Sequence, residues 1–475
     1  MTYNKNTTAA AATLPRDRSA DLPGPFPDKV RASAGRLREE LRARIAGCFP
    51  RRESRENANA LIDGLLTELE DRNCWTIAEA AGHPVPSRLQ HLLSRGSWDE
   101  QQMLDAMLTW VIEELGDEDG VLVIDETSDE KATSATAGAA RQYCGTTGDI
   151  RMCQVTVTAT YASGRGHALI GRALYLPGEQ WAADEEHREL AHVPEEVMFA
   201  TKPELAGGLL ARAAVAGITA RWVTGDEVYG GAALRTLIRG LGMGYVLAVR
   251  GNHVITASSG TAMTVSAAAK LLKPRHWQRM RTGSGSKGAK DYDWAMMQVR
   301  PDDNPGGRDS GHDDGHSCLL LRKHRYTGTV SCYRAWSPAP VPLAALITVA
   351  VTRWRIEEDH QLSKQTAGLD SGQVRTWTSW HRWTALSLTA YAYLAITTAR
   401  LRAASTRSPG HEQEQEQLIP VTIPELLRLI RGTVIPGPRS DRAHRDTWSN
   451  WRRHHQYQAQ QAHHRWHAYA DTIPV

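Results

Sequence analysis

Between Lys29 and Leu115 apolar residues recur at three- and four-residue spacing in four segments. These are RASAGRLREELRARIAGCF, ENANALIDGLLTELEDR, TIAEAAG and WDEQQMLDAMLTWVIEELG, and the period predicts amphipathic helices. Gly82, Pro84 and Pro86 break the run between the middle segments. The texture changes at Gly120. VLVIDET (121–127) is apolar and β-branched and ends in acid, as a buried strand does. CQVTVTATYA (153–162) and HALIGRALYLP (167–177) predict a pair of longer strands. KPELAGGLLARAAVAG (202–217) reads as a helix closed by Gly217, RWVTGDEVYG (221–230) as a short strand entering a turn, GAALRTLIRGLG (231–242) as a helix and YVLAVR (245–250) as a strand. Strand, strand, strand, helix, strand, helix, strand predicts an α/β domain with a mixed sheet.

After Asn252 that rhythm stops for about 90 residues. Short β-like pieces (WQRMRTG, YDWAMMQVR, CLLLRKHRY, VSCYRAW) surround PDDNPGGRDSGHDDGHS (301–317), whose Gly and Pro content favours a flexible loop over an Asp/His metal site. Helical texture returns over 340–368 and 380–402. The pattern divides the chain into a disordered tail (1–25), a helical unit (26–118) fit to be a scaffold or DNA reader, an α/β unit (119–251 with 342–402), a β-rich insertion (252–341) and a helical, basic C-terminal region (403–475).

The 475 residues allow two to four domains and a large buried core. No apolar run reaches the ~20 residues that span a bilayer, and the first residues lack a signal-peptide core, so a cytoplasmic protein without membrane contact is expected. Six cysteines without CxxC spacing read as reduced thiols. A net charge of +3 neither demands nor excludes nucleic acid. Its distribution says more: from Arg431 onward seven Arg face three Asp, interleaved with six His and three Trp. That composition suits a phosphate backbone and suits a solvated tail equally well.

Asp125 follows VLVI and Asp226 follows WVTG, two acids at the ends of expected strands, where α/β sheets form ligand sites. Hard divalent cations take oxygen ligands, and two-metal phosphoryl-transfer sites use a few convergent carboxylates. At 100° per residue Arg353, Glu357, His360 and Lys364 form one polar stripe on a helix, with Glu358 100° away from Glu357. The stripe is either a solvated face with an Arg–Glu pair or part of a site.

Taken with the longer stretches WTIAEAAGHPVPSRLQHLL, VLVIDETSDEK, RQYCGTTGDIRMCQVTV, LYLPGEQWAAD, WVTGDEVYGG, GYVLAVRGNH, KGAKDYDWA and RWRIEEDHQLSKQTAGLDSGQVRTWTSWHRW, the chain resembles bacterial insertion-sequence DDE transposases. The resemblance is to the branch with a Tyr-Arg-Glu-Lys signature and its insertion-sequence 701 group, over roughly residues 55–400. It implies an RNase H-like catalytic domain with Asp125, Asp226 and Glu357 as catalytic and metal-holding acids. Arg353 and Lys364 match the signature's Arg and Lys and would grip phosphate; Ala350 stands where the signature has Tyr. The resemblance also implies Mg²⁺ (Mn²⁺ as substitute), cut-and-paste cleavage and strand transfer at insertion-sequence ends, double-stranded DNA (terminal inverted repeats and target) as partner, and a homodimer in the synaptic complex. Trp277 and Trp294 could stack on a flipped base or pack in the core. A nuclease or DNA-binding regulator co-opted from the same fold is the competing reading.

Overall fold

A computed structural model describes residues 26–178, 181, 183–285, 288–302, 315–406 and 419–470. The tail over 1–25 and the centre of the 301–317 tract lie outside the described residues. The helical period of the first hundred residues produces α1 (Phe26–Ile45), α2 (Arg52–Leu66), α3 (Cys74–Ala80), α4 (Ser87–Ser94) and α5 (Glu100–Leu115). Their starts are fixed locally: Asn73 accepts the N–H groups of Trp75 and Thr76 to open α3, and Asp99 caps α5.

The α/β part follows as β1 (Val121–Glu130), β2 (Ala140–Cys144), β3 (Asp149–Ala162), β4 (His167–Tyr175), α6 (Glu185–Leu190), α7 (Lys202–Val215), β5 (Trp222–Gly225), α8 (Ala232–Gly240) and β6 (Gly244–Val249). β4, β3 and β1 form an antiparallel meander, and β5 and then β6 add parallel to β1. The resulting order β4-β3-β1-β5-β6 is the RNase H-like mixed sheet; β2 shares an edge of β3 with β4.

β7 (Val254–Thr256) and β8 (Ala262–Thr264) make a small separate ribbon before α9 (Val265–Leu271). β9 (Gln278–Gly285), β10 (Gly288–Gln298), β11 (His316–Lys323) and β12 (Val330–Ser337) then run antiparallel, one to the next. β12 pairs with β6 from Trp336↔Tyr245 to Cys332↔Val249. The β-rich stretch therefore prolongs the α/β sheet to ten strands. Trp294 is fully buried and stacks on Tyr333 at 6.2 Å, so it belongs to the core, while Lys323 lies over the Trp277 ring.

The helical texture over 340–368 is two helices, α10 (Leu343–Thr352) and α11 (Trp354–Ala367), broken at Arg353. α10 is apolar and buries Leu346, Ile347, Val349 and Ala350. α11 ends at Gly368 in the left-handed conformation, as a C-terminal glycine cap does. The 30-residue α12 (Trp377–Thr406) is the central post: it packs on α1, α2, α4, α5 and β4, so the N-terminal helices and the sheet share one core.

α13 (Ile423–Ile430) and α14 (Arg442–Ala470) follow. The start of α14 is docked rather than loose. Trp448 is fully buried and its Nε1 donates to the carbonyl of His83 at 2.8 Å, while Arg452 pairs with Glu79 at 2.6 Å. All six cysteines are free thiols. Among the described residues no helix is long and apolar enough to cross a membrane.

Candidate active site

The parallel ladder between β1 and β5 ends at Ile124↔Gly225, and the next residue of each strand is an acid, Asp125 and Asp226. Gly225 permits that approach: a Cβ there would lie 2.9 Å from the side chain of Ile124. β1 does not end at its acids. It continues to Glu130, paired on one side to β3 alone, so Asp125 sits where the parallel pairing stops rather than at the strand end.

The Asp125 carboxylate accepts the N–H of Glu126 at 2.8 Å and the Arg353 Nη1 at 3.2 Å. Burial first, and then the charge of Asp226, push its pKa up to about 7, against the pull of Arg353. Asp226 accepts the N–H of Val228 at 2.9 Å; burial raises its pKa too, with Glu126 adding to the effect. Burial is the larger cause in both, with neighbouring acids adding to it, and two adjacent acids shifted in this way are the pattern of a functional site.

Arg353 bridges to the third acid: its Nη2 donates to Glu357 Oε1 at 2.6 Å. The polar stripe of α11 faces the sheet. The His360 Nε2 lies 2.7 Å from the Thr158 hydroxyl on β3, and burial, followed by the charge of Lys364, pushes its pKa down to about 4. Lys364 donates to the carbonyl of Ser128 on β1 at 2.8 Å. Glu358 points elsewhere, to Arg355 at 2.7 Å and His167 at 3.4 Å. The structure thus joins Asp125, Arg353 and Glu357 directly, sets Asp226 beside Asp125 by register, and places Lys364 further along β1.

Two acids were missed from sequence. Glu126 takes the Tyr229 hydroxyl at 2.5 Å and Lys202 at 2.8 Å. Asp359 is fully buried and accepts Thr160 at 2.8 Å, His167 at 2.7 Å and Tyr391 at 2.5 Å. The signal for Asp359 was present: Ile356, Asp359, Ser363, Thr366 and Ala367 are the buried face of α11, at helical spacing but short of apolar residues.

Among the described residues no three His, Cys, Asp or Glu stand close enough to hold a metal ion. Arg353 supplies positive charge between Asp125 and Glu357. The donor set nevertheless fits a hard cation, because it is all carboxylate oxygen and a cation there would offset the burial that disfavours the charged forms of Asp125 and Asp226.

Residues 44–298 match the model of the family described as DDE superfamily endonuclease, a stretch that contains both aspartates and stops before Glu357. Such nucleases generally use divalent metal ions. The chain is 28% identical over 211 residues to a probable transposase for insertion sequence element IS701 from Microchaete diplosiphon, 44% of this chain and 52% of that protein. It thus spans about half the length of the curated relative it matches. A solved structure of the piggyBac transposase synaptic complex with hairpin DNA is 12% identical, with TM-score 0.43, covering 90% of this chain and 83% of that one. That likeness is too slight to bear on function. With more than half of its length matched, and the two aspartates inside the match, the chain belongs to the DDE superfamily endonucleases.

Proposed function

We propose that the chain is a transposase that cleaves DNA strands and transfers them at the ends of its own insertion sequence. The observation that carries this is the register of β1 and β5, which sets Asp125 beside Asp226, together with the Arg353 link from Asp125 to Glu357. Asp125, Asp226 and Glu357 are the residues that would hold Mg²⁺, or Mn²⁺ in its place. When bound, such an ion activates a water or 3′-hydroxyl and neutralises the leaving oxygen.

The chain's own groups do the rest. The carboxylates fix the site on the sheet, and the buried, neutral His360 holds α11 to β3 through Thr158. Arg353 and Lys364 carry the fixed charge for phosphate. They are occupied here by carboxylates and a carbonyl, so substrate must exchange those partners for its own oxygens. Residues 119–251 and 342–402 form the catalytic unit in this reading, 26–118 a DNA-facing helical unit and 252–341 an extension of the sheet, in a protein that works on double-stranded DNA at the nucleoid as a homodimer. Purified protein given Mg²⁺ and a duplex carrying the inverted repeats that flank its gene should join strands. Hydrolysis without joining would make it a co-opted nuclease, and binding without cleavage a regulator.

A further inference from the structure

The last helix changes character part-way along. Its first three turns are fastened to α3 and the turn after it: His444 bonds the Glu79 carbonyl, Trp448 the His83 carbonyl, and Trp451 packs edge-on against Trp75. From Arg453 to Trp466 every residue is exposed. An isolated helix of that length is marginal in water unless a partner or an anchored neighbour holds it.

The exposed stretch, RHHQYQAQQAHHRW, has two Arg and four His, and no acid occurs between Asp446 and Asp471. It contains no Leu, Ile, Val or Met. The docked half of α14 is held by the rings of Trp448 and Trp451, whereas in the exposed half the two large rings, Tyr457 and Trp466, stand nine residues apart on opposite faces of the helix and make no apolar stripe for a second copy or another protein. Positive charge without acid, amide side chains and the exposed rings of Tyr457 and Trp466 suit phosphates and bases instead. The anchor adds to this. It lies just ahead of α4, where Arg88, His91 and Arg95 are exposed and no acid occurs from Ser87 to Arg95.

We propose that the exposed length of α14, Arg453–Trp466, is an arm that contacts the phosphate backbone of duplex DNA, carried rigidly by α3. Its fourteen residues rise about 21 Å, the reach of roughly six base-pair steps. The assignment rests on DNA being the substrate but not on strand transfer, so the two can fail separately.

The test is the salt dependence of binding to a short random-sequence duplex, by fluorescence anisotropy, with the full chain and the double variant Arg453→Gln, Arg465→Gln. Losing two phosphate contacts should lower the slope of log affinity against log salt by about 1.8 and weaken low-salt binding about tenfold. The melting temperature should not move, since both side chains are exposed. That result supports the arm whether or not insertion-sequence ends are cleaved. Equal binding and slope in the two proteins would overturn it while leaving the nuclease chemistry intact. Absence of duplex binding by the natural chain would overturn it as well. So would a concentration-dependent dimer, lost in the variant while DNA binding persists, because the occupant would then be a second copy.

Discussion

Two carboxylates stand where α11 meets the sheet, buried Asp359 on the helix and half-buried Asp125 on β1, and they are built in opposite ways. Asp359 is sealed from solvent and receives side-chain hydrogen bonds from β3, β4 and α12. Asp125 receives one backbone N–H and one arginine, and faces Asp226 across the end of the β1–β5 ladder. Hydrogen bonds to a charged group contribute about 1.5–3 kcal/mol each, whereas a like charge nearby costs stability. Asp359 therefore holds the helix to the sheet. Asp125 costs stability where it stands, which is the mark of a group kept for chemistry.

The largest effect should come from neutralising the second kind. Asp125→Asn is expected to reduce cleavage at least about 1,000-fold, about 4 kcal/mol of barrier, with DNA binding and fold intact. Single-turnover cleavage beside a thermal melt checks it. A folded variant that no longer binds DNA would show that Asp125 contacts substrate rather than holding a cation. The mirror experiment is Asp359→Ala, which strands His167, Tyr391 and Thr160 without their acceptor. It should cost about 3–5 kcal/mol in denaturant unfolding. A loss under about 1 kcal/mol, small against that range, would mean the network is not what fastens α11.

The same contrast has a pH signature. Between 3.8 and about 7 the folded chain keeps a proton on Asp125 that the unfolded chain has released. Stability conferred at low pH is therefore lost as pH rises through that window, by up to about 1.4 kcal/mol per pH unit. Subtracting the Asp125→Asn profile from that of the natural chain isolates this slope. Identical profiles would sink the idea that Asp125 is held protonated, and added Mg²⁺ should flatten the slope by competing with the proton.

The sequence revealed the Asp125 side of this comparison and hid the other. VLVI and WVTG are apolar runs buried in the sheet, and each delivers its acid at the next position. The stripe Arg353, Glu357, His360, Lys364 followed from 100° per residue, though not whether it met solvent or the sheet. What stayed illegible depends on partners far along the chain. Arg353 reaches Asp125 across 228 residues, Tyr391 reaches Asp359 across 32, and β12 pairs with β6 although the ribbon and three strands separate them along the chain. The break at Arg353 has no glycine or proline to announce it, and Trp448 could not be told from a solvated tail because its pocket belongs to α3 and His83.

The smallest expected effect is the most discriminating for the site. Glu357 and Glu358 are chemically alike and adjacent, and differ by 100° around α11. Glu357 is tied through Arg353 to Asp125, while Glu358 reaches out to Arg355 and to His167 with its side chain 40% exposed. Partly exposed pairs of that kind contribute about 0–1 kcal/mol. Glu358→Gln should therefore change stability by less than about 1 kcal/mol and leave cleavage within about twofold of the natural chain. Glu357→Gln should match Asp125→Asn in lost cleavage while melting at a similar temperature. If the two variants exchange these phenotypes, the third acid is Glu358 and α11 must turn by about a quarter of its circumference to complete the site. If neither loses cleavage, no acid of α11 takes part, and the chemistry rests on β1 and β5 with the nearby Glu126, whose present partners are Tyr229 and Lys202.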